Sequence, residues 1–141
     1  MSEINYIENK DGTKLFSFYR HDYKEYTDKE GNFMMIDGGM DYIRYSVDEE
    51  NSWLNEAEIS DVIQDIREQY KWGRNYDKNM NKLLKTEYIL LKDLDTEHIF
   101  NIITYILNKI PKIINYNNKM TIEIFVEELK YRYSQGKIIS Y

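Results

Sequence analysis

The sequence predicts an α+β protein: an antiparallel β-sheet followed by a C-terminal helical hairpin. Three observations carry this. Short aromatic-rich segments separated by Gly, Asp and Asn turns run from Lys14 to Leu91. From Asp95 onward, apolar residues instead recur at helical spacing. Hydrophobic residues make up 42% and aromatics 15% of the 141 residues, which is enough for one core and unlike a disordered chain. The chain is read as a single domain over 1–141, sheet-rich over 1–92 and helical over 93–141.

Lys14–Arg20 is the first expected strand, with Tyr23–Tyr26 extending or following it. Thr27-Asp28-Lys29-Glu30-Gly31-Asn32 is a hairpin loop, since it is polar and places a glycine late in the turn. Phe33–Ile36 returns. Asp37-Gly38-Gly39 is a second tight turn, because glycine accepts positive φ without a Cβ clash. Asp41–Ser46 is a third strand whose alternation sets Tyr42, Arg44 and Ser46 on one face and Ile43, Tyr45 and Val47 on the other. Asp48–Asn55 reads as an acidic loop holding Trp53.

Near Ser60, a candidate N-cap, the period changes. Ile59, Val62, Ile63, Ile66 and Tyr70 fit a helix that stops near Trp72-Gly73. Asp61 and Asp65 near its start suit the helix dipole. Arg74–Lys82 is expected to be a polar loop and Thr86–Leu91 the last strand. Asp95 caps a helix carrying Ile99, Ile102, Ile103, Ile106, Leu107 and Ile110, which Pro111 should end. After an Asn115–Asn118 linker, a second helix carries Ile122, Phe125, Val126, Leu129 and Tyr133 and stops near Gly136. The first of these helices is apolar around more than half its circumference, so the hairpin is expected to help form a homo-oligomer interface.

Composition narrows the function. A net charge of −6 argues against binding long nucleic acid, which needs a basic face. The absence of cysteine removes disulfides, thiolate metal sites and thiol nucleophiles. No apolar run approaches the ~20 residues of a membrane helix. The opening M-S-E-I-N-Y has neither a basic region nor an apolar signal core. A cytoplasmic protein that makes no use of a membrane is expected.

Candidate chemistry concentrates between Ser17 and Tyr45. Arg20, His21 and Arg44 are suited to holding phosphate, with guanidinium contacts the strongest. Gly38 and Gly39 would let a ligand approach the backbone and would expose N–H donors. Tyr42 offers a flat ring. A second group follows. Trp72, Gly73 and Arg74 combine a ring, a bare backbone and a cation, and Tyr88 adds another ring. Each group also has a plain structural reading. Arg20 could pair with Asp22 or Asp41, the double glycine could be only a turn, and Trp72 could belong to the core.

No P-loop or dinucleotide fingerprint is present. No serine lies in a nucleophile elbow. His21 and His98 lack metal-ligand spacing. The residues therefore point to a binder of an anionic, nucleotide-like ligand, without catalytic residues, metal or cofactor.

The ordered motifs S-x-x-R-H-D-Y, I-D-G-G-x-D-Y-I-R, K-W-G, L-K-D-L-D-T-E-H-I and E-E-L-K-Y-R span Phe16 to Arg132 and their flanks. This set resembles small phage proteins, in particular the first-described Thoeris anti-defence sponge family. The resemblance implies a protein of the host cytoplasm that captures a cyclic ADP-ribose-type immune signal and holds it uncleaved. It also implies capacity for cyclic oligonucleotides, and a homo-oligomer, a dimer or hexamer, with ligand at subunit interfaces. The competing readings are a phage inhibitor that docks on a host or defence enzyme, and a small cyclic-nucleotide hydrolase.

Overall fold

The computed structural model describes residues 2–77, 79, 81–109 and 116–137. Ile110, Pro111 and Asn115, on which the expected helix stop and linker partly rest, lie outside them. The protein is α+β: antiparallel strands first, then helices. Its chain divides into two compact units, one up to Val62 and one from Ile63.

The first unit holds six strands: β1 (Glu3–Asn9), β2 (Lys14–Leu15), β3 (Lys24–Thr27), β4 (Phe33–Asp37), β5 (Arg44–Val47) and β6 (Ser52–Glu58). They form two antiparallel sheets, ordered β2-β1-β6 and β3-β4-β5. Ile7 and Leu15 from the first sheet meet Met34 and Ile36 from the second, with Tyr26, Ile43 and Val47 against them. Burying each such aliphatic side chain is worth about 1.5–3 kcal/mol. Tyr6 and Phe16 pack with centroids 5.0 Å apart, and Phe16 stacks on Phe18. Within β5, Tyr45 and Val47 pair with Ile36 and Met34 and share one face, where Val47 packs on the core, and Arg44 and Ser46 take the other. The expected alternation holds there.

Three expectations are corrected in this unit, one being the Asp41–Ser46 strand, which runs instead over Arg44–Val47. The Lys14–Arg20 strand shortens to Lys14–Leu15. Side chains, not another strand, take up the next backbone groups: Lys24 Nζ donates to the Phe16 carbonyl (2.6 Å), and the Phe18 N–H donates to Asp22 Oδ2 (2.9 Å). The expected Asp48–Asn55 loop closes at Asn51, and Trp53 lies on β6. The segment W-L-N-E-A-E has weak strand propensity, but a seven-residue antiparallel register with β1 overrides it. The strand β1 itself, E-I-N-Y-I-E-N, is a further element that the spacing did not announce.

Helix α1 (Ile59–Ile66) runs across the division between the units and departs from helical geometry at Val62. The second unit continues with β7 (Lys71–Tyr76), β8 (Lys82–Leu90), a 3₁₀ turn at Leu91–Asp93, α2 (Thr96–Lys109) and α3 (Tyr116–Ser134). The expected Ser60–Gly73 helix is thus corrected to end at Ile66. Trp72, Gly73 and Arg74 belong to β7, which pairs antiparallel with β8. The expected Arg74–Lys82 loop is corrected at both ends: Arg74, Asn75 and Tyr76 lie on β7, and Lys82 opens β8. Tyr116–Asn118, expected in the linker, already belong to α3. Gly136, at φ +73°, follows the end of α3 as expected.

Tyr70 and Trp72 both set an edge against Phe125 of α3, at 5.7 and 5.6 Å. Beneath lies a buried ionic network. Glu128, wholly buried, accepts both nitrogens of a fork from Arg67 (2.8 and 3.1 Å) and the Nε of Arg132 (2.7 Å). Arg132 also donates to the Leu91 carbonyl and to Thr96 Oγ1, both at 2.9 Å. Every charge in this cluster has a partner, which is the condition for burying charge at tolerable cost. Among the described residues, no helix is long and apolar enough to cross a membrane.

Candidate functional site

The sequence-derived candidates separate into two groups, one in each unit. In the first unit the double glycine organises the group. Gly38 and Gly39 both have positive φ, at +93° and +74°. A Cβ on Gly39 would lie 2.7 Å from the Tyr19 carbonyl carbon and 3.1 Å from the Arg20 nitrogen. One on Gly38 would overlap the Tyr42 carbonyl oxygen. Two bare backbones are therefore what allow the 19–20 and 42–44 segments to close on a single turn.

Ser17, which the sequence reading did not single out, pins this junction. Its wholly buried hydroxyl donates to the Asp22 carbonyl (2.7 Å) and accepts the Gly39 N–H (2.8 Å). The signal was present in the sequence, since a serine opens the S-x-x-R-H-D-Y motif. Only the fold shows that its partner is a residue twenty-two positions away.

The expectation that Gly38 and Gly39 present free N–H donors is corrected. The Gly38 N–H donates to Asp37 Oδ1 at 2.8 Å, and the Gly39 N–H is taken by Ser17. A buried donor left unpaired would cost about 1–3 kcal/mol, so the turn satisfies both internally. The two glycines permit close packing, and both of their N–H groups are engaged within the junction.

Arg20 and His21 are exposed at the bend that rests on this turn, and not at a strand end. Arg20 makes no ion pair or hydrogen bond among the described residues. Asp22, one acid expected to neutralise it, is engaged by Lys24 Nζ (2.9 Å) and the Phe18 N–H. Tyr42 is 70% exposed, and the Arg44 guanidinium carbon lies 5.9 Å from its ring centroid. Arg44 Nη2 donates to Asp37 Oδ2 at 2.8 Å, with the arginine side chain mostly exposed. An exposed pair of this kind is worth about 0–1 kcal/mol, so a more highly charged anion can compete for the guanidinium. The neighbouring rings of Tyr19, Tyr23 and Tyr45 are also more than two-fifths exposed. The arrangement offers an unpaired guanidinium, a weakly paired one and several flat faces.

In the second unit, Gly73 lies opposite Tyr88 across the β7–β8 ladder. A Cβ there would come within 3.3 Å of the Tyr88 ring, so the glycine lets that ring lie across the strand. Tyr88 remains 69% exposed and keeps a free face. Trp72 is half-buried against Phe125, which realises the core reading for part of its ring. Arg74 is paired with Glu87, and its buried Nε has no partner among the described residues. His98, in the first turn of α2, has its pKa lowered by burial and then by the Arg74 charge, which favours the neutral ring. Among the described residues, no cluster of His, Asp and Glu is arranged to hold a metal ion. No protein-family model, curated protein or solved structure matches the chain.

Proposed function

We propose that the protein binds a compact phosphate-bearing nucleotide and holds it uncleaved, and that its ligand is a cyclic ADP-ribose-type immune signal sequestered as a phage anti-defence act. The observation that carries this reading is the double-glycine junction. It brings the Arg20–His21 bend and the Tyr42–Arg44 segment onto one turn, and it leaves Arg20 without an internal partner among the described residues. Guanidinium groups suit a diphosphate. Exposed tyrosine faces suit adenine, at about 1–3 kcal/mol per stacked base. The motif resemblance supplies the identity of the nucleotide. Cyclic oligonucleotides share the same phosphate and base chemistry and are proposed as secondary ligands. A homo-oligomer in the host cytoplasm completes the proposal. It is supported by Phe100, Tyr105 and Leu107, which stay at least half exposed on α2.

The test is to incubate the purified protein with cyclic ADP-ribose variants, remove free ligand, denature by heat and weigh the released molecule by mass spectrometry. Retention of intact nucleotide is expected, with a higher Tm for the loaded protein, since a ligand that prefers the folded state stabilises it. Arg20→Ala and Tyr42→Ala should each release ligand faster while melting at the wild-type temperature. A recovered product of altered mass would make the protein an enzyme. Absence of retention would end the proposal.

A further inference from the structure

The outer edge of β6 is built unlike the rest of the first unit. The strand closes the sheet ordered β2-β1-β6, so among the described residues only one of its edges meets another strand. The Glu56 N–H shows which residues face the open side: it leaves the ladder and donates to Asn55 Oδ1 at 2.9 Å. In an antiparallel strand the N–H and C=O of alternate residues point the same way, so Leu54 and Glu58 face outward with Glu56. Natural edges are commonly blunted by lysine, proline, a bulge or a covering element. This one runs seven residues in continuous register with β1 and contains neither lysine nor proline.

Its exposed side chains are of two kinds. Trp53 and Leu54 are each 43% exposed, and as consecutive strand residues they lie on opposite faces. Glu56 and Glu58 are exposed beside them, and Glu3 lies opposite Glu58 on β1. None of the three carboxylates forms an ion pair with a cation among the described residues. Glu3 and Glu56 are held close enough to share a hydrogen bond. That bond, and then the repulsion of the Glu56 charge, raise the Glu3 pKa above its ordinary value. The edge thus gathers acidic groups with no cation paired to them among the described residues. A second copy of the same strand would add further carboxylates.

We propose that the outer edge of β6 takes an extended, lysine- or arginine-bearing segment of a partner protein as an additional strand. The backbone of Leu54 and Glu58 and the carbonyl of Glu56, whose N–H stays with Asn55, would supply the ladder, Trp53 and Leu54 apolar contact on the two faces, and Glu3, Glu56 and Glu58 the selection for positive charge. This goes beyond nucleotide capture and uses none of the residues assigned to it, so either can fail alone.

A short fluorescent peptide alternating Lys and Val serves as the probe, with a Glu–Val peptide and a backbone N-methylated Lys–Val peptide as comparators. The Lys–Val peptide is expected to bind, to protect the Leu54 and Glu58 amides from hydrogen exchange, and to lose binding on N-methylation. Glu56→Lys with Glu58→Lys should weaken it by about tenfold or more, on the scale of two cross-strand charge pairs reversed. Asp93→Lys with Glu97→Lys, an equal change of net charge elsewhere, should leave it nearly unchanged. If both double variants weaken binding equally, the attraction is only the acidity of the whole protein and the proposal is overturned. It is also overturned if the N-methylated peptide binds as well, or if the wild type self-associates through β6 with these amides protected. Retention of the same results without nucleotide capture would leave this proposal standing and remove only the earlier one.

Discussion

Ser17 shows how much of the first site rests on one hydroxyl. It serves as donor and acceptor at once, to the Asp22 carbonyl and from the Gly39 N–H. Ser17→Ala leaves the buried Gly39 N–H and the half-buried Asp22 carbonyl short of a partner. The expected loss is about 1–3 kcal/mol in urea unfolding, because an unsatisfied buried group keeps its full desolvation cost. Ser17→Thr keeps the hydroxyl but adds a methyl at a wholly buried position, so it should recover only part of the loss. A wild-type midpoint for Ser17→Ala would show that the 17–22 bend is held by other bonds, the Lys24 Nζ contacts foremost. Arg44 is the contrasting case: its pair with Asp37 is exposed, and its removal should hardly change stability.

At the scale of elements, the two hairpins β3–β4 and β7–β8 share one loop design. Asp28-Lys29-Glu30-Gly31-Asn32 and residues 77–81, D-K-N-M-N, begin and end alike. In both, the aspartate accepts the N–H groups two and four residues on, Glu30 and Asn32 in one, Asn79 and Asn81 in the other. In both, its own N–H bonds to the carbonyl of the closing asparagine. The repeated D-K-x-x-N was the available signal that a strand precedes Asp77, and the apolar spacing from Ile59 to Tyr70 hid it. The side-chain bond from Asn32 first, with backbone N–H donors and Asn9, lowers the Asp28 pKa to about 2. The folded value lies below the unfolded one of about 3.9. The stabilisation is therefore present in full above the unfolded value and is lost as pH falls through the folded one. Asp28→Ala should lower Tm clearly at pH 7, and the gap to wild type should close towards pH 2. A gap independent of pH would show that the carboxylate charge is not what holds the loop.

For the whole molecule, assembly is the property that the surface of α2 bears on. Phe100, Tyr105 and Leu107 remain exposed while Ile99, Ile102 and Ile106 are buried. Phe100 and Leu107, seven residues apart, share a face of α2, and the proposed assembly would use that face. Sedimentation should give a mass that is a multiple of the 17.2 kDa chain. Phe100→Glu with Leu107→Glu should reduce it towards the monomer without loss of helicity. A wild-type monomer at all concentrations would remove assembly from the proposed function. An unchanged multimer in the double variant would place the interface elsewhere.

The amino-acid sequence by itself determined the α+β class, the 27–32 hairpin loop, the double-glycine turn and both terminal helices. Local chemistry governs each: positive φ at glycine, Asx hydrogen bonding, and apolar residues at helical spacing. It also determined which residue types could meet a phosphate or a base. Tertiary structure decided that Trp72 lies on a strand, that E-I-N-Y-I-E-N and S-W-L-N-E-A-E pair with each other, and that the Gly38 and Gly39 donors are spent internally. Those outcomes depend on partners distant in the chain, such as Phe125 for Trp72 and Ser17 for Gly39. Pairing with a distant segment repays its closure entropy only after the chain has collapsed, and no local pattern records which segment that will be.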